Sequence, residues 1–573
     1  MWIASEPPLS DAEVLAVRLE LAESASQHTV TLAIADSGDD EALRATLISL
    51  AAQIVKNFAT LVACRPSREE TVARILASQA PGLSNARILA AAEGDTLLQL
   101  QQLALERASG RYFGVVFTGD RLAPVAVAAM QSALTRWPDA EVVYSDEDWV
   151  DQCGRRQKPR FKSAWDPDAQ IGFDLLGSLC LIARERALET GGLSAAHGSA
   201  AHYDFHCRTA LSLPCSRIRH VPAVLYHRRI PQRINSRETR SAISAYAVSA
   251  REVAANAAAL QVGVAVDVGP SPVSSFVNHV HRPLPSPAPR VSVLVPTRDR
   301  AGLLRNCLHG LLTQTDYPDF EVLILDNDSV EPATIALLAE LNTDSRVRVL
   351  RVSGPFNFSR INNTGASAAT GDVLLFLNND IEVLEENWLK EMVGEVARPD
   401  IGCVGAKLLY SDGTVQHAGV ILQSGPLAMH VCRTEDGMTA GAAGRLAGTR
   451  DYLAVTGACL AVRRSVFDEV GGFDAEHLAV AFNDIDLCLK VSDAGYRNVC
   501  TPFASLLHLE SASRGQDDSE EKRARANREL HHMQLKWGDR FDCDPYHNPN
   551  LRFDWSAGEQ LALNVRQSWR LVR

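Results

Sequence analysis

The fold class of this chain is indicated most clearly by one stretch, Gly371-Asp372-Val373-Leu374-Leu375-Phe376-Leu377-Asn378-Asn379-Asp380-Ile381-Glu382-Val383. Its apolar run ends abruptly in polar residues, which is typical of a buried strand in a parallel sheet. Open parallel sheets bind ligands just beyond the carboxyl ends of their strands, where Asn378, Asn379 and Asp380 stand. Their oxygen atoms suit Mg²⁺ or Mn²⁺ holding a diphosphate. The alternative is a polar turn that only closes the strand.

Two earlier apolar runs in this half of the chain also end in acidic loops. The first begins at Arg290 and runs into Asp299, and the second begins at Phe320 and runs into Asp326 and Asp328. Helical patterns separate these runs, and strand–helix alternation predicts a doubly wound α/β domain. Because neighbouring strand ends converge in such a domain, we expect these acidic loops to meet at one edge of the sheet.

The chain of 573 residues is too long for one core, and a proline-dense segment at 283–289 separates two halves. Four features recur in both halves in the same order: an acidic turn (Asp120, Asp380), a Gly-Gly pair, an acidic patch and a strand that ends in histidine (His227, His508). This order predicts tandem copies of one fold. The predicted segments are an N-terminal extension (1–27), a first α/β domain (28–235), a helix and Pro-rich linker (236–287), a second α/β domain (288–515) and a C-terminal helical extension (516–573).

The composition of the chain disfavours several classes of function. The net charge of −12 disfavours nucleic acid as a partner, and the 12 cysteines contain no CxxC pair, which disfavours a zinc ribbon. No signal peptide and no apolar run of membrane-spanning length is visible in the sequence. We therefore expect a cytoplasmic protein, and peripheral membrane association stays open.

Taken together, the motifs of the second half resemble the inverting family 2 glycosyltransferases of the GT-A fold, which is a Rossmann-like nucleotide-sugar fold. The matching motifs are VSVLVPTRD (291–299), ILDNDS (324–329), NFSRINNTG (357–365), LNND (377–380), VTGACL (455–460), GGFD (471–474), FNDIDL (482–487) and HLES (508–511). The tail DPYHNPNL (544–551) and the motif YSDED (144–148) resemble tandem, rhamnosyltransferase-like enzymes that build polysaccharide or O-antigen. The resemblance implies two tandem GT-A domains, of which the N-terminal one is degenerate.

The resemblance implies a hexosyl- or deoxyhexosyl-transferase that uses a nucleotide-sugar donor and a polysaccharide or lipid-linked oligosaccharide acceptor, with a location at the inner membrane face left open. It also assigns the donor site to residues that follow the first strands, although Arg360 could equally be a surface arginine. The residues implied for nucleotide-sugar binding are Pro296, Thr297, Arg298, Asp299, Asp326, Asp328, Arg360, Asn363 and Asn379, and Arg514 is implied in a loop that closes over the diphosphate.

The same resemblance implies a divalent cation, Mn²⁺ or Mg²⁺, held by Asp380 with Asn378 and His508. Asn378 stands where many members carry an acid, so it would be a weaker ligand, and His508 could instead be a strand-end histidine bonded to backbone. Asp484 matches the general base, and Asp486 is expected to face elsewhere on the helix in a structural role. Acceptor contacts are implied for Gly457, Ala458 and His417, and either His417 or His430 could be merely structural.

The first half keeps only Asp120 at the metal position and carries His202 at the base position, so we expect it to be a scaffold or an acceptor-binding domain. Two alternatives stay open for the whole chain. One is a dual enzyme in which both halves transfer a sugar. The other is a non-catalytic carbohydrate- or nucleotide-binding scaffold, because Asn378 and Asn483 both replace an expected acid. A glycoside hydrolase fits less well, since it needs two facing carboxylates and no nucleotide site.

Overall fold

The computed structural model describes residues 10–24, 29–78, 82–230, 237–423, 427–509, 519–554 and 558–561. The chain forms two compact units. The first comprises Met1–Gln261 together with Asn548–Arg573, and the second comprises Val262–His547. Each unit is described by itself below.

The first unit consists of alternating strands and helices. In chain order they are α1 (Asp11–Ser24), β1 (Val30–Ala35), α2 (Asp40–Ala51), β2 (Phe58–Cys64), α3 (Glu69–Ala77), β3 (Ala86–Ala90), α4 (Leu97–Arg107), β4 (Tyr112–Val115), β5 (Arg121–Leu122), α5 (Ala126–Arg136), β6 (Val142–Val150), β7 (Arg156–Arg160), α6 (Pro167–Gly172), β8 (Cys180–Ala183), α7 (Arg184–Glu189), α8 (Ala201–Ala210), β9 (Ile218–Arg229) and α9 (Arg237–Val262).

The second unit repeats this alternation. Its elements are β10 (Asp267–Ser271), β11 (Ser274–His281), β12 (Val291–Thr297), α10 (Ala301–Thr313), β13 (Phe320–Asp326), α11 (Pro332–Leu341), β14 (Val347–Arg351), α12 (Phe358–Ala368), β15 (Val373–Leu377), β16 (Ile381–Val383), α13 (Trp388–Val396), β17 (Ile401–Leu409), β18 (Val415–His417), β19 (Val420–Gln423), β20 (Leu427–His430), β21 (Arg450–Tyr452), β22 (Cys459–Arg463), α14 (Arg464–Glu469), α15 (Asn483–Asp493), β23 (Arg497–His508) and α16 (Glu520–Phe541). A hairpin of β24 (Leu551–Asp554) and β25 (Gly558–Leu561) follows in the part of the chain assigned to the first unit.

The main sheets of the two units have the same strand order. In the described residues the first runs β3-β2-β1-β4-β8-β6-β9-β5, and the second runs β14-β13-β12-β15-β22-β17-β23-β16. The parallel and antiparallel neighbours also correspond pair by pair, for example β1 with β4 and β12 with β15, both parallel. The predicted tandem repeat is therefore present at the level of topology. Both sheets are mixed rather than purely parallel, because β8 and β22 enter antiparallel to their neighbours.

The apolar run predicted as a buried strand, residues 373–377, forms β15, and all five of its residues are buried. It lies beside β12, whose alternate side chains Val291, Val293 and Val295 belong to one core cluster with residues of α10 and α13. On the opposite face, Gly365 of α12 lies so close to the sheet that an added Cβ would come within 2.6 Å of Leu325. Helices on both faces bury the strands completely, which leaves only their ends for chemistry.

The segment predicted as a helix and linker contains helix α9 and then the antiparallel hairpin β10–β11, which the sequence analysis did not identify. The predicted helical C-terminal extension contains α16 and also the hairpin β24–β25. Over the described residues, no helix combines the length and the apolar character needed to cross a membrane.

Candidate active site

Asp380, Asn378 and His508, the three predicted metal-site residues, lie together at the end of β15. The turn after β15 leads into β16, where Ile381 pairs with His508 of β23. Nε2 of His508 lies 3.2 Å from a carboxylate oxygen of Asp380 and 3.4 Å from Nδ2 of Asn378. Neighbouring ligands of an octahedral ion with bonds near 2.1 Å are about 3.0 Å apart, so the carboxylate and the imidazole fit a divalent cation. Asn378 presents its nitrogen, not the predicted oxygen ligand, toward His508.

Gln416 of β18 fixes the orientation of His508. Its amide oxygen is hydrogen-bonded to Nδ1 of His508, and its Nε2 donates to the His508 carbonyl oxygen at 3.4 Å. Since the amide oxygen only accepts, Nδ1 carries a proton, and Nε2 is the ring nitrogen that faces Asp380. This is the arrangement by which an outer residue orients a metal-binding histidine. Gln416 could not be identified from the sequence, because its contact with His508 joins residues 92 positions apart and no motif surrounds it.

Asp484, the predicted base, is the second residue of α15, which begins after Phe482 in a left-handed conformation. Its carboxylate accepts hydrogen bonds from the backbone N–H of Gly457 at 2.8 Å and of Ile485 at 2.9 Å. The side chain is half-buried, and burial raises the pKa of Asp484 above its ordinary value of 3.8. A carboxylate with a raised pKa is a better proton acceptor than an ordinary aspartate.

The loop Thr456–Ala458 connects the base to the metal-site turn. Gly457 donates to Asp484, and the carbonyl oxygen of Ala458 accepts from the backbone N–H of Asn378 at 2.9 Å. Gly457 and Ala458, predicted to contact the acceptor, therefore lie between the predicted base Asp484 and the predicted metal-site turn.

His417 supports the same loop from inside the protein. Its Nε2 accepts from the backbone N–H of Gly419 at 3.3 Å and of Thr456 at 3.4 Å, and its Nδ1 lies 2.8 Å from Nδ1 of His430. The side chain has no exposed surface, and burial holds its pKa well below 6.5, so the ring is neutral. These contacts are of the kind that the structural alternative for His417 implies, and its contact with the acceptor stays a prediction.

The residues predicted for the nucleotide form a rim at the ends of β12, β13 and β14. Thr297, which follows Pro296 at the end of β12, accepts from Nδ2 of Asn379 at 2.9 Å. Asp326 accepts from the backbone N–H of Ser329 at 3.0 Å. Three further residues complete the rim: Arg298, which is exposed; Asp299, which accepts from the backbone N–H groups of Val330 and Glu331; and Asp328, which accepts from Arg351, Ser353 and Gly354.

Two predicted nucleotide residues have structural partners instead. The Arg360 guanidinium donates to the carbonyl oxygens of Ser353 and Pro355, at 3.1 and 2.9 Å. The Asn363 amide makes two hydrogen bonds with the backbone of Phe473, at 2.8 and 3.0 Å. Arg360 therefore contacts the loop beside the rim, whereas the alternative left open for it was a surface arginine; its role in nucleotide binding stays a prediction. Arg514 lies outside the described residues.

The first unit has residues at the positions equivalent to this site, and their side chains are hydrogen-bonded to other residues of the same unit. Asp120 precedes β5 as Asp380 precedes β16, and His227 pairs opposite Arg121 as His508 pairs opposite Ile381. The Asp120 carboxylate accepts from the Tyr226 hydroxyl at 2.8 Å and the Arg229 backbone N–H at 2.7 Å, and burial raises its pKa to about 6.

His227 and His202, which correspond to His508 and Asp484, are also hydrogen-bonded within the first unit. Nδ1 of His227 lies 2.7 Å from a carboxylate oxygen of Asp148. His202 is the second residue of α8, as Asp484 is of α15; its Nε2 lies 2.9 Å from Gln101, and burial lowers its pKa to about 4. A neutral imidazole replaces the carboxylate at this position.

Within this fold, the Asp380–His508 pair and the predicted base Asp484 are linked through the loop Thr456–Ala458. Residues 292–471 match the model of the glycosyl transferase family 2, and the chain therefore contains a domain of that family. The sequence resemblance is confirmed for this domain.

Two curated relatives cover almost the whole chain. It is 36% identical over 518 residues to the uncharacterized protein y4gI of Sinorhizobium fredii, spanning 90% of this chain and 56% of that protein. It is 35% identical over 577 residues to the O-antigen biosynthesis protein RfbC of Myxococcus xanthus, spanning 98% of this chain and 44% of that protein. The chain thus spans about half the length of these relatives.

One solved structure with a partial likeness is the mannosyltransferase PcManGT from Pyrobaculum calidifontis in complex with GDP-Man and Mn²⁺. It is 19% identical, the match covers 54% of this chain and 77% of that one, and the TM-score is 0.32.

Proposed function

We propose that this protein is a metal-assisted, inverting glycosyltransferase whose second unit moves a sugar from a nucleoside-diphosphate donor to a hydroxyl of a growing polysaccharide or lipid-linked oligosaccharide. The observation that carries the proposal is the loop Thr456–Ala458, which bonds at one end to the Asp484 carboxylate and at the other to the turn of Asn378 and Asp380. In the proposal, these three consecutive residues connect the base with the site of the leaving diphosphate. The relation to an O-antigen biosynthesis protein favours a polysaccharide-type acceptor.

In this proposal Asp484 accepts the proton of the acceptor hydroxyl as that oxygen bonds to the anomeric carbon. The bond from that carbon to the diphosphate oxygen breaks on the opposite face, so the configuration inverts. The bound cation would neutralise the leaving diphosphate. Asp380 and His508 would hold it, Gln416 keeps the His508 lone pair in place, and the rim around Thr297 and Asp326 receives the nucleoside.

The first unit is proposed to be inactive in transfer. Each counterpart residue is already bonded within the unit, and His202 stays neutral near pH 7 because burial lowers its pKa. The dual-enzyme alternative needs Asp120 to leave two hydrogen bonds before it can bind a cation. The scaffold alternative for the whole chain is tested by the turnover experiment below.

The experiment incubates the purified chain with a panel of nucleotide sugars and Mn²⁺ or Mg²⁺, and measures released nucleoside diphosphate. We expect release from one donor, its loss with EDTA, and recovery when the cation is returned. Asp484→Asn should lower the rate about 10²–10⁴-fold while leaving donor binding intact, since it removes only the proton acceptor. Donor binding without turnover, with any lipid-linked or soluble acceptor, would favour a scaffold.

A further inference from the structure

Two histidines and a glutamate of the second unit converge at a place that shares no residue with the proposed active site. His279 and His281 belong to strand β11, and Glu391 belongs to helix α13. Positions two apart on a strand point to the same face, so both imidazoles face the helix that carries the carboxylate. These three side chains form what we call the hairpin cluster.

The rings of the hairpin cluster are held in place by packing. The centroids of His279 and His281 are 3.8 Å apart with planes inclined at 41°, so the rings are neither coplanar nor parallel. His279 also stacks on Phe503 of β23, with centroids 3.4 Å apart and planes at 15°. Across the hairpin His279 pairs with Gly269, where an added Cβ would lie 3.5 Å from Nε2 of His281.

The spacing of the polar atoms fits ligands of one ion. Nε2 of His279 lies 3.2 Å from each Glu391 oxygen, and Nδ1 of His281 lies 3.5 Å from one of them. Ligands of a tetrahedral zinc ion with bonds of 2.0–2.1 Å are about 3.4 Å apart. The 3.2 Å contact also serves as a hydrogen bond, whereas 3.5 Å is long for one.

We propose that the hairpin cluster binds one divalent ion of the zinc type through two imidazole nitrogens and one carboxylate, with a fourth position left for water. Borderline-soft ions such as Zn²⁺ and Co²⁺ take this donor set, whereas Mg²⁺ prefers oxygen alone. The His281 side chain is 42% exposed and gives the ion a way in, while the His279 and Glu391 side chains are only 13% and 17% exposed. The ion would fasten the hairpin β10–β11 to α13.

A second group, which also consists of two histidines and one carboxylate, provides a matched control. Asp474, His477 and His532 also lie within reach of one another. The two rings there are parallel at 6° with centroids 4.4 Å apart, so their nitrogen lone pairs point side by side rather than at one ion. One oxygen of Asp474 also accepts from the backbone N–H groups of Glu476 and His477. We expect no ion at this control group.

The experiment uses the full chain without a polyhistidine tag, stripped of metal and titrated with Zn²⁺ by calorimetry and with Co²⁺ by visible absorption. Wild type, His281→Ala, Glu391→Gln, His477→Ala and Asp380→Asn are compared. We expect His281→Ala and Glu391→Gln each to weaken one site at least 10-fold, and His477→Ala and Asp380→Asn to leave that site unchanged. Because His281 is partly exposed and Glu391→Gln keeps the shape of the side chain, both variants should retain the wild-type circular dichroism.

Other outcomes overturn the proposal. If folded His281→Ala and Glu391→Gln bind as wild type does, the hairpin cluster holds no ion and is a hydrogen-bonded triad. If only His477→Ala or only Asp380→Asn loses binding, the ion belongs to one of those sites. Neither result would touch the proposed transferase activity, which rests on other residues.

Discussion

Asp484 combines two opposing influences at the start of α15. The helix dipole and two backbone N–H groups favour its charged form, whereas burial favours the neutral form and prevails, so its pKa is raised. A carboxylate with a raised pKa accepts a proton more readily than an exposed aspartate.

This balance predicts an acid limb in the pH profile. Catalysis needs ionised Asp484, so kcat/KM should fall as the pH drops through a pKa above 3.8, at higher pH than an ordinary aspartate would give. Asp484→Glu should lower kcat/KM and still show a decrease at low pH. Asp484→Asn should lower kcat/KM strongly and show no such decrease. An unchanged limb in the residual rate of Asp484→Asn would assign it to another group.

Gln416 offers a second test at this scale. Gln416→Leu removes the acceptor for Nδ1 of His508, so we expect Mn²⁺ affinity to fall about 10–100-fold, as for other outer-shell partners of metal-binding histidines. Gln416→Glu keeps an acceptor and should restore most of that affinity. The measurement is free Mn²⁺ by electron paramagnetic resonance in titrations of each variant. Equal affinity in wild type and Gln416→Leu would contradict the positioning role.

Residues differ in how far sequence predicts them. Asp380, His508 and Asp484 could be predicted because each ends or begins a regular element inside a recognisable motif. Gln416 could not, because its contact with His508 depends on strand pairing across 92 residues. Arg360 lies in such a motif, but its partners are backbone carbonyl groups that no motif specifies.

At the scale of elements, α15 is anchored by α16 through the residue two beyond the base. Asp486 is fully buried and accepts from Lys536 at 2.6 Å and from Nε1 of Trp537 at 2.8 Å, with Lys490 3.4 Å away. The predicted structural role of Asp486 agrees with these contacts, because residues two apart on a helix face different sides.

Breaking this anchor should lower stability. Asp486→Asn leaves Lys536 and Lys490 without their counter-charge, and we expect the free energy of unfolding to fall by about 3 kcal/mol, as for other buried ion pairs that lose one partner. Asp493→Asn is a matched control on the same helix, since Asp493 pairs with Arg540 of α16 at 3.3 Å on the surface. Its cost should stay below about 1 kcal/mol. Urea unfolding of both variants measures the difference, and equal costs would contradict the anchoring role.

Strands and helices with strong periodicity could be predicted from the sequence, as β12, β13, β15 and α9 illustrate. The hairpin β10–β11 could not. Its residues include Gly269, Pro270 and three polar residues at 278, 279 and 281, so neither strand shows an apolar alternation. Pairing between the two strands, rather than burial of one face, defines this element.

For the whole molecule, the two units share one sheet topology but differ in what their acidic residues bind. The motif YSDED of the first unit is occupied internally: Asp146 contacts His220 and Asn548, and Glu147 contacts Arg160 and Lys162. The DPYHNPNL tail supplies Asn548 and also Asn550, which donates to the Pro222 carbonyl oxygen. In the first unit, therefore, acidic residues and the tail stabilise the fold, whereas Asp380 and Asp484 of the second unit belong to the site that we propose.

The most direct measurement compares Asp380→Asn with Asp120→Asn, in nucleoside diphosphate release from the donor that wild type uses. The two residues hold equivalent places before β16 and β5, so each variant is the control for the other. We predict that Asp380→Asn loses at least 100-fold of the activity and that Asp120→Asn keeps it. Loss in Asp120→Asn with retention in Asp380→Asn, or a second product lost only in Asp120→Asn, would contradict a single transferase site in the second unit.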